Sequence, residues 1–172
     1  MQFVAFFRNV NQGQRGHPST ADLLTAVHAT GATDAFAFRS NGTVVFDSGD
    51  IDSVAGALQR EQLSGREVFV RPATFFESLM HYEGSPLKSR LEVTIFESET
   101  SLAEAEADAD VVHDAERRGR CEIVESAAGW ALVLNHSEHQ SNGTPVVERI
   151  IGGPATSRGL STLLGLARQL DP

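Results

Sequence analysis

Apolar residues run unbroken from Phe3 to Phe7 and stop at a polar, glycine-permissive loop, Arg8-Asn9-Val10-Asn11-Gln12-Gly13, which Arg15, Gly16, His17 and Pro18 extend. The run predicts a first strand over 2–7. From Thr20, the spacing of Leu23, Leu24 and Val27 predicts a helix capped by Ser19 or Thr20 and ended by Gly31. Alternating residues 33–39, an Asn41-Gly42 hairpin signal and the apolar stretch Thr43 to Phe46 predict two paired strands. A helix over about 51–62, with Ile51, Val54 and Leu58 inward, leads to a strand from Glu67 to Val70. Arg71-Pro72 is then expected to open a short helix through Phe75, Phe76 and Leu79.

The same order returns from Leu91: a strand to Phe96, a helix capped by Ser101 and stopped by Gly119, and strands 120–125 and 130–134 around Ala127-Ala128-Gly129. A helix around Val146 to Ile151, an extended piece near Ala155 to Ser157, and a last helix presenting Leu160, Leu163, Leu164, Ala167 and Leu170 complete it. Both halves read βαββαβα, and Gly84-Ser85-Pro86 separates them. The expected architecture is therefore α+β, a tandem pair of ferredoxin-like βαββαβ plaits (α/β plaits), each with a trailing helix. The units span 1–84 and 85–172, whether or not they pack as one domain.

Composition narrows the classes of function. A chain of 172 residues sustains its own core, burying roughly 70% of the surface its unfolded form exposes. No apolar stretch reaches the length of about 20 residues that crosses a bilayer, and nothing reads as a signal peptide. A cytoplasmic location without a membrane partner is the expectation. A net charge of -9 opposes broad contact with nucleic acid, whose nonspecific affinity comes from Lys and Arg on phosphates. Between Glu97 and Glu116 lie eight acids and no Lys or Arg, the pattern of a solvated helix face or of an acidic docking surface. The single cysteine, Cys121, excludes an internal disulfide and reads as a buried small hydrophobe. Sequons occur at Asn41, Asn135 and Asn142, and the first and last are read as Asn-Gly turns.

Plait topology gathers the loop after the first strand, the start of the first helix, the turn between strands two and three, and the start of strand four at one end of the sheet. That end collects Arg8, Asn11, Arg15, His17, Arg39, Asn41 and Arg66, while Asp47, Asp50 and Asp52 go to the other. The first helix also aims its amide groups and positive dipole end there, an arrangement that favours phosphate or carboxylate. In the alternative reading, Arg8 and Asn11 tie the loop down through its carbonyls, and the other arginines are solvated. Catalytic templates are absent: there is no Gly-x-Ser-x-Gly elbow, phosphate-binding Lys loop, His-Glu-x-x-His or dinucleotide glycine pattern. His136, Glu138 and His139 form a poor metal cage, so no metal is expected, and no cofactor is implied. His28, His81 and His113 fall on helices without neighbouring acids or thiols that would mark a site.

Three segments carry a family resemblance that covers nearly the whole chain. Arg8, Asn11 and Gly13 match an Arg-Gly-x-Asn-x-Gly-Gly loop after the first strand; Asn41-Gly42-Thr43-Val44-Val45-Phe46 echoes a Ser-Gly-Asn-Val-Val-Phe segment; and Thr156-Ser157-Arg158-Gly159-Leu160-Ser161-Thr162 follows part of a Thr-Thr-Arg-Asn-Trp-x-Thr ending. The chain thus resembles the bacterial family called domain of unknown function 1697 (DUF1697), as a divergent member. It departs at Asn9 in place of glycine, at Thr43 in place of asparagine, and at Gly159-Leu160 in place of Asn-Trp. The resemblance implies a tandem α/β plait and no established reaction, and adds Arg158 to the candidate site.

The leading reading is a cytoplasmic bacterial module that binds a small molecule or anion through Arg8, Asn11, Gly13, Arg15, His17, Arg39, Asn41 and Arg158. A second is an enzyme acting on a phosphorylated or carboxylated metabolite, with His17 as acid or base. A third is a structural or interaction module, for which a homo-oligomer stays open.

Overall fold

The computed structural model describes residues 1–61, 65–97, 99, 102 and 109–170. They divide into two compact units, Met1–Phe75 and Phe76–Pro172. The first contains β1 (Gln2–Phe7), α1 (Thr20–Ala29), β2 (Thr33–Phe38), β3 (Thr43–Asp47), α2 (Ile51–Glu61) and β4 (Val68–Pro72). A run of 3₁₀ turns, Ala73–Tyr82, follows. The second contains β5 (Leu91–Phe96), α3 (Ala109–Gly119), β6 (Cys121–Ala127), β7 (Trp130–Asn135), α4 (Gly143–Ile151), β8 (Ala155–Gly159) and α5 (Leu160–Leu170). The Ser101 cap expected for the second unit's first helix lies outside the described residues.

Each unit is built on one four-stranded antiparallel sheet, in the order β2-β3-β1-β4 in the first and β6-β7-β5-β8 in the second. The first strand of each unit is therefore central, which is why Phe3 to Phe7 and Val93 to Phe96 are buried without interruption. Phe3, Ala5 and Phe7 face Leu23 and Val27 of α1 and Val54 and Leu58 of α2, so both helices share one face of the sheet. In the second unit Phe96, Ala131, Val133 and Ala155 pack with Ala115 of α3 and Val146 and Val147 of α4. α5 packs on β5 and β8.

The two sheets match residue for residue. Val4 opposes Val45 and Arg71, as Val93 opposes Leu132 and Arg158. Phe7 donates its amide to Gly42 O at 2.8 Å, and Phe96 donates its own to Gly129 O at 3.0 Å. β2 slips by one residue between Thr33 and Phe36, and β6 slips by one between Ile123 and Glu125. Arg71 and Arg158, both 8% exposed, each return Nη1 to the preceding carbonyl, Val70 O and Ser157 O, at 2.8 Å. The repeat thus lies in register, bulge and buried polar positions rather than in sequence identity.

Three boundaries differ from expectation. Arg71 and Pro72 still belong to β4, where Pro72 opposes Phe3 at the strand end and its missing amide is tolerated, and the expected short helix through Phe75, Phe76 and Leu79 follows them as the 3₁₀ run Ala73–Tyr82. Asn142-Gly143 is the start of α4, with Asn142 as N-cap, and not a turn. The cause is Glu92 on β5: its Oε1 accepts from Gly143 N at 2.7 Å and Asn135 Nδ2 at 2.9 Å, and its Oε2 accepts from Ser141 Oγ at 2.6 Å. A carboxyl placed at the positive end of the helix draws its first turn back to Gly143. The piece near Ala155 extends to Gly159 as a full edge strand paired with β5.

Gly42 combines φ +73° with a crowded site, where an added Cβ would meet Val10 Cβ at 2.7 Å and Phe7 O at 2.9 Å. Gly31 has φ +87° and open space around it. Gly31→Ala should destabilise by about 1 kcal/mol through the left-handed backbone alone, and Gly42→Ala by about 2–4 kcal/mol because overpacking adds to that. Urea unfolding of the two variants checks the difference, and equal losses would remove the packing component.

Candidate functional site

The four segments expected at one end of the first sheet do meet there. Arg8 N donates to Glu67 O at 2.9 Å, Gln12 N to Ser40 O at 2.9 Å, and Phe7 N to Gly42 O at 2.8 Å. The loop after β1 is knit within itself: Gln14 N reaches Asn11 O, His17 N reaches Gln14 O, and Asn11 N donates to His17 Nδ1 at 2.9 Å. That last bond occupies Nδ1 as an acceptor and leaves Nε2 as the nitrogen that carries the proton in the neutral ring. In that tautomer the ring's basic lone pair is the one the loop engages, and Nε2–H can only donate.

Each candidate side chain can now be placed. Arg8 is paired with Glu67, Nη1 to Oε2 at 3.1 Å. Asn11 serves the loop through its backbone. Gly13 provides a left-handed turn at φ +94°. Arg15 is exposed on the loop, with no hydrogen bond or ion pair among the described residues. Arg39 is exposed and lies over the Phe38 ring, 5.6 Å from its centroid. Asn41 is half-buried beside Gly42. Arg158 belongs to the second unit, on β8, where Nη1 also bonds Thr156 Oγ1 at 2.8 Å. Burial pulls its pKa down to about 10, so it keeps its charge at neutral pH.

Two residues outside the sequence-derived set organise this end. Arg66 donates Nη1 to Asn9 O and Nη2 to Gly16 O, the latter at 3.5 Å, spanning the loop from its far side. Loop tethering through carbonyls therefore exists, and Arg66, which the alternative reading left solvated, performs it. Gln12 donates Nε2 to Thr20 Oγ1 at 3.2 Å. Among the described residues, three side-chain polar atoms here are buried without a hydrogen-bond partner: Gln12 Oε1, Asn41 Oδ1 and Arg66 Nε. No sequence signal marks them, because burial of a loop side chain depends on how separate loops cross.

The α1 terminus corrects a second expectation. Ser19 is the N-cap and forms a capping box: Ser19 Oγ accepts from Asp22 N at 3.2 Å, and Asp22 Oδ2 accepts from Ser19 N at 2.8 Å. Backbone and side-chain hydrogen bonds from Ser19 hold the Asp22 carboxyl below its usual range. The helix's positive end is thus served by its own carboxylate, which opposes an incoming anion at that point. Cationic attraction at the rim falls to Arg15 and Arg39.

Elsewhere the fold assembles groups that are distant in sequence. In the second unit Tyr82 Oη donates to Glu125 Oε2, and burial beside that carboxylate pushes the phenol up to about 12. His81 Nε2 lies 3.9 Å from the same oxygen, an acid neighbour that sequence proximity did not reveal. Burial, with Glu92 and Glu116 nearby, raises the Cys121 thiol to about 11, so it is a core residue and not a nucleophile at neutral pH. Glu138 accepts from Ser89 Oγ at 2.8 Å. Among the described residues, no helix is long and apolar enough to cross a membrane.

Arg66→Ala should destabilise by about 1–2 kcal/mol, since two carbonyls lose a charged donor. It should also speed amide exchange over residues 9–17. Arg8→Ala, which removes the ion pair to Glu67, should leave exchange over residues 9–17 closer to that of the parent chain than Arg66→Ala does; equal effects of the two would refute the assignment of the tether. For Asp22, a folded pKa below 3.8 means that its contribution is present above the unfolded value and lost as pH falls through the folded one. The stability gap between the parent chain and Asp22→Asn, read by urea unfolding, should close below about pH 4. A gap unchanged from pH 7 to pH 3 would exclude the capping box as its source.

No protein-family model matches this chain, and no curated protein matches it. Among solved structures it is similar to "conserved bacterial protein SP0830 from Streptococcus pneumoniae", with a TM-score of 0.68 and 14% identity over 99% of this chain and 98% of that one. At that identity the likeness is one of fold, and it extends over both units.

Proposed function

We propose that the chain is a small-molecule-binding protein whose site is the rim of the first unit. Its ligand is a small anion that also carries hydroxyl or amide donors. The observation that supports this is a trio of atoms buried without a hydrogen-bond partner among the described residues, Gln12 Oε1, Asn41 Oδ1 and Arg66 Nε, the first two on the segments that carry the exposed cations Arg15 and Arg39. A buried polar atom left unpaired costs about 1–3 kcal/mol, and a bound molecule that supplies two donors and one acceptor offsets it. Sugar phosphates and hydroxy or amino acids have this chemistry. Enzymatic use of the site would rest on His17, whose basic lone pair the loop already engages, with no second titratable group bonded to its ring among the described residues.

The same proposal takes each unit as a ferredoxin-like plait and the chain as a divergent DUF1697 member. The plait is supported by the strand orders β2-β3-β1-β4 and β6-β7-β5-β8 and by two helices on one sheet face. Family membership is supported by Arg8, Asn11, Gly13, Gly42, Arg158 and Thr162 at the matching motif positions.

The test is a two-dimensional amide NMR titration with glucose 6-phosphate, glycerol 3-phosphate, serine and citrate, repeated on the double variant Arg15→Ala/Arg39→Ala. The expected result is saturable shifts confined to residues 9–17 and 39–42, weakened at least tenfold in the double variant with the melting temperature unchanged. Absence of shifts there with every probe, or undiminished binding by the variant, would overturn the proposal.

A further inference from the structure

The second unit carries a cleft of 340 Å³ at the opposite end of its sheet, between the end of α3, the start of β6 and the first turns of α4. Among the described residues its wall holds Arg118, Arg120 and Arg149 and no acidic side chain. In a chain of net charge -9, three cations around one concavity without a counter-charge in its lining stand apart. The corresponding end of the first unit carries Asp47, Asp50 and Asp52 instead. We propose that this cleft binds the phosphate group of a small phosphorylated molecule.

The three arginines are differently prepared. Arg118 is anchored by Asp114, Nε to Oδ2 at 2.7 Å, which orients its guanidinium. Arg120 and Arg149 are exposed and make no side-chain hydrogen bond or ion pair among the described residues. Planar guanidinium forks lining one cleft suit an oxyanion with several acceptor oxygens, and a phosphate dianion meets that better than a single carboxylate. Gln140 and Asn142 add amides at the edge, while Pro145 and Val146 give an apolar wall for the rest of the molecule. A volume of this size is that of a small-metabolite site.

Two backbone features hold the arginines in place. A Cβ on Gly119 would lie 2.1 Å from Val146 Cγ2, so only glycine lets the end of α3 approach α4 this closely. The next residue, Arg120, is left-handed at φ +55°, a conformation that ordinarily selects glycine or asparagine after a helix. Register equivalence makes Gly31 the first unit's counterpart of Arg120, and it has φ +87°. One backbone position thus carries the residue that suits it in one unit and a strained arginine, aimed at a cationic cleft, in the other.

The experiment is amide NMR and calorimetric titration of the full chain at low salt with inorganic phosphate, glycerol 3-phosphate, AMP and, as a carboxylate control, succinate. The expected outcome is saturable shifts at residues 118–120 and 140–149 with the phosphates, and at least tenfold weaker binding by Arg120→Gln/Arg149→Gln. Both replaced side chains are exposed and unengaged, so the variant should keep the parent melting temperature. Arg15→Ala/Arg39→Ala should leave this binding unchanged, which separates it from the rim of the first unit. Tighter binding of an ester than of inorganic phosphate assigns the cleft to a phosphorylated metabolite, and equal binding assigns it to the free ion. Shifts elsewhere only, succinate binding as tightly as phosphate, or a variant within twofold of the parent would overturn the proposal.

Discussion

One hydrogen bond, made twice, sets where each unit stops being sheet and starts being loop. Phe7 N–H reaches Gly42 O, and Phe96 N–H reaches Gly129 O, at 2.8 and 3.0 Å. In each case the last residue of the central strand is bound to the left-handed glycine that begins the neighbouring strand. Central strands are buried on both faces, and a shift of one residue would turn every side chain to the wrong side. The bond therefore fixes the register of the sheet and the point from which the following loop must leave. In the first unit that loop has no room to wander, since Val10 Cβ and Phe7 O close on Gly42 from the other side.

Much of this was legible in the sequence. The unbroken Phe3–Phe7 run, the 3.6-residue spacing of Leu23 and Val27, and the Asn41-Gly42 signal located β1, α1 and the β2–β3 turn, because each reports a local cause. Asn142-Gly143 misled because the same dipeptide serves a turn or a helix start, and the choice rests on Glu92, which lies far off in sequence. Arg71-Pro72 marked the helical segment that follows, but that both residues still pair with β1 is a non-local fact that no dipeptide signal contains. At the rim, the sequence supplied the right loops and a partly wrong division of labour. Arg66 was gathered there by topology, yet its role as tether depends on reaching Asn9 O and Gly16 O across a gap that no spacing rule contains.

The two units also show how one backbone carries different chemistry. Position by position, Phe3 and Glu92 are equivalent, each on the helix-covered side of a central strand. Phe3 stacks on Phe46 with ring centroids 5.9 Å apart and contributes to an apolar core. Glu92 accepts hydrogen bonds from three groups and anchors the first turn of α4. Burial of a carboxyl is tolerable only with such donors, so Asn135, Ser141 and Gly143 form a set with it. Gly143 has no freedom within that set, because a Cβ would come within 2.3 Å of Thr94 Oγ1.

That anchoring has a consequence for the cationic cleft beside it. α4 is held at its first residue by a buried acceptor and along its length by Val146 against the bare backbone of Gly119. Asn142, Pro145 and Arg149 therefore present one face from a fixed helix, and Arg118 and Arg120 meet it from the end of another. Like charges gathered on a flexible backbone relax by moving apart, whereas helix ends locked together keep the backbone positions of these arginines close, and their field persists in the space between them. The first unit, with Phe3 in place of Glu92 and glycine in place of Arg120, keeps the fold and lacks both the anchor and the charge.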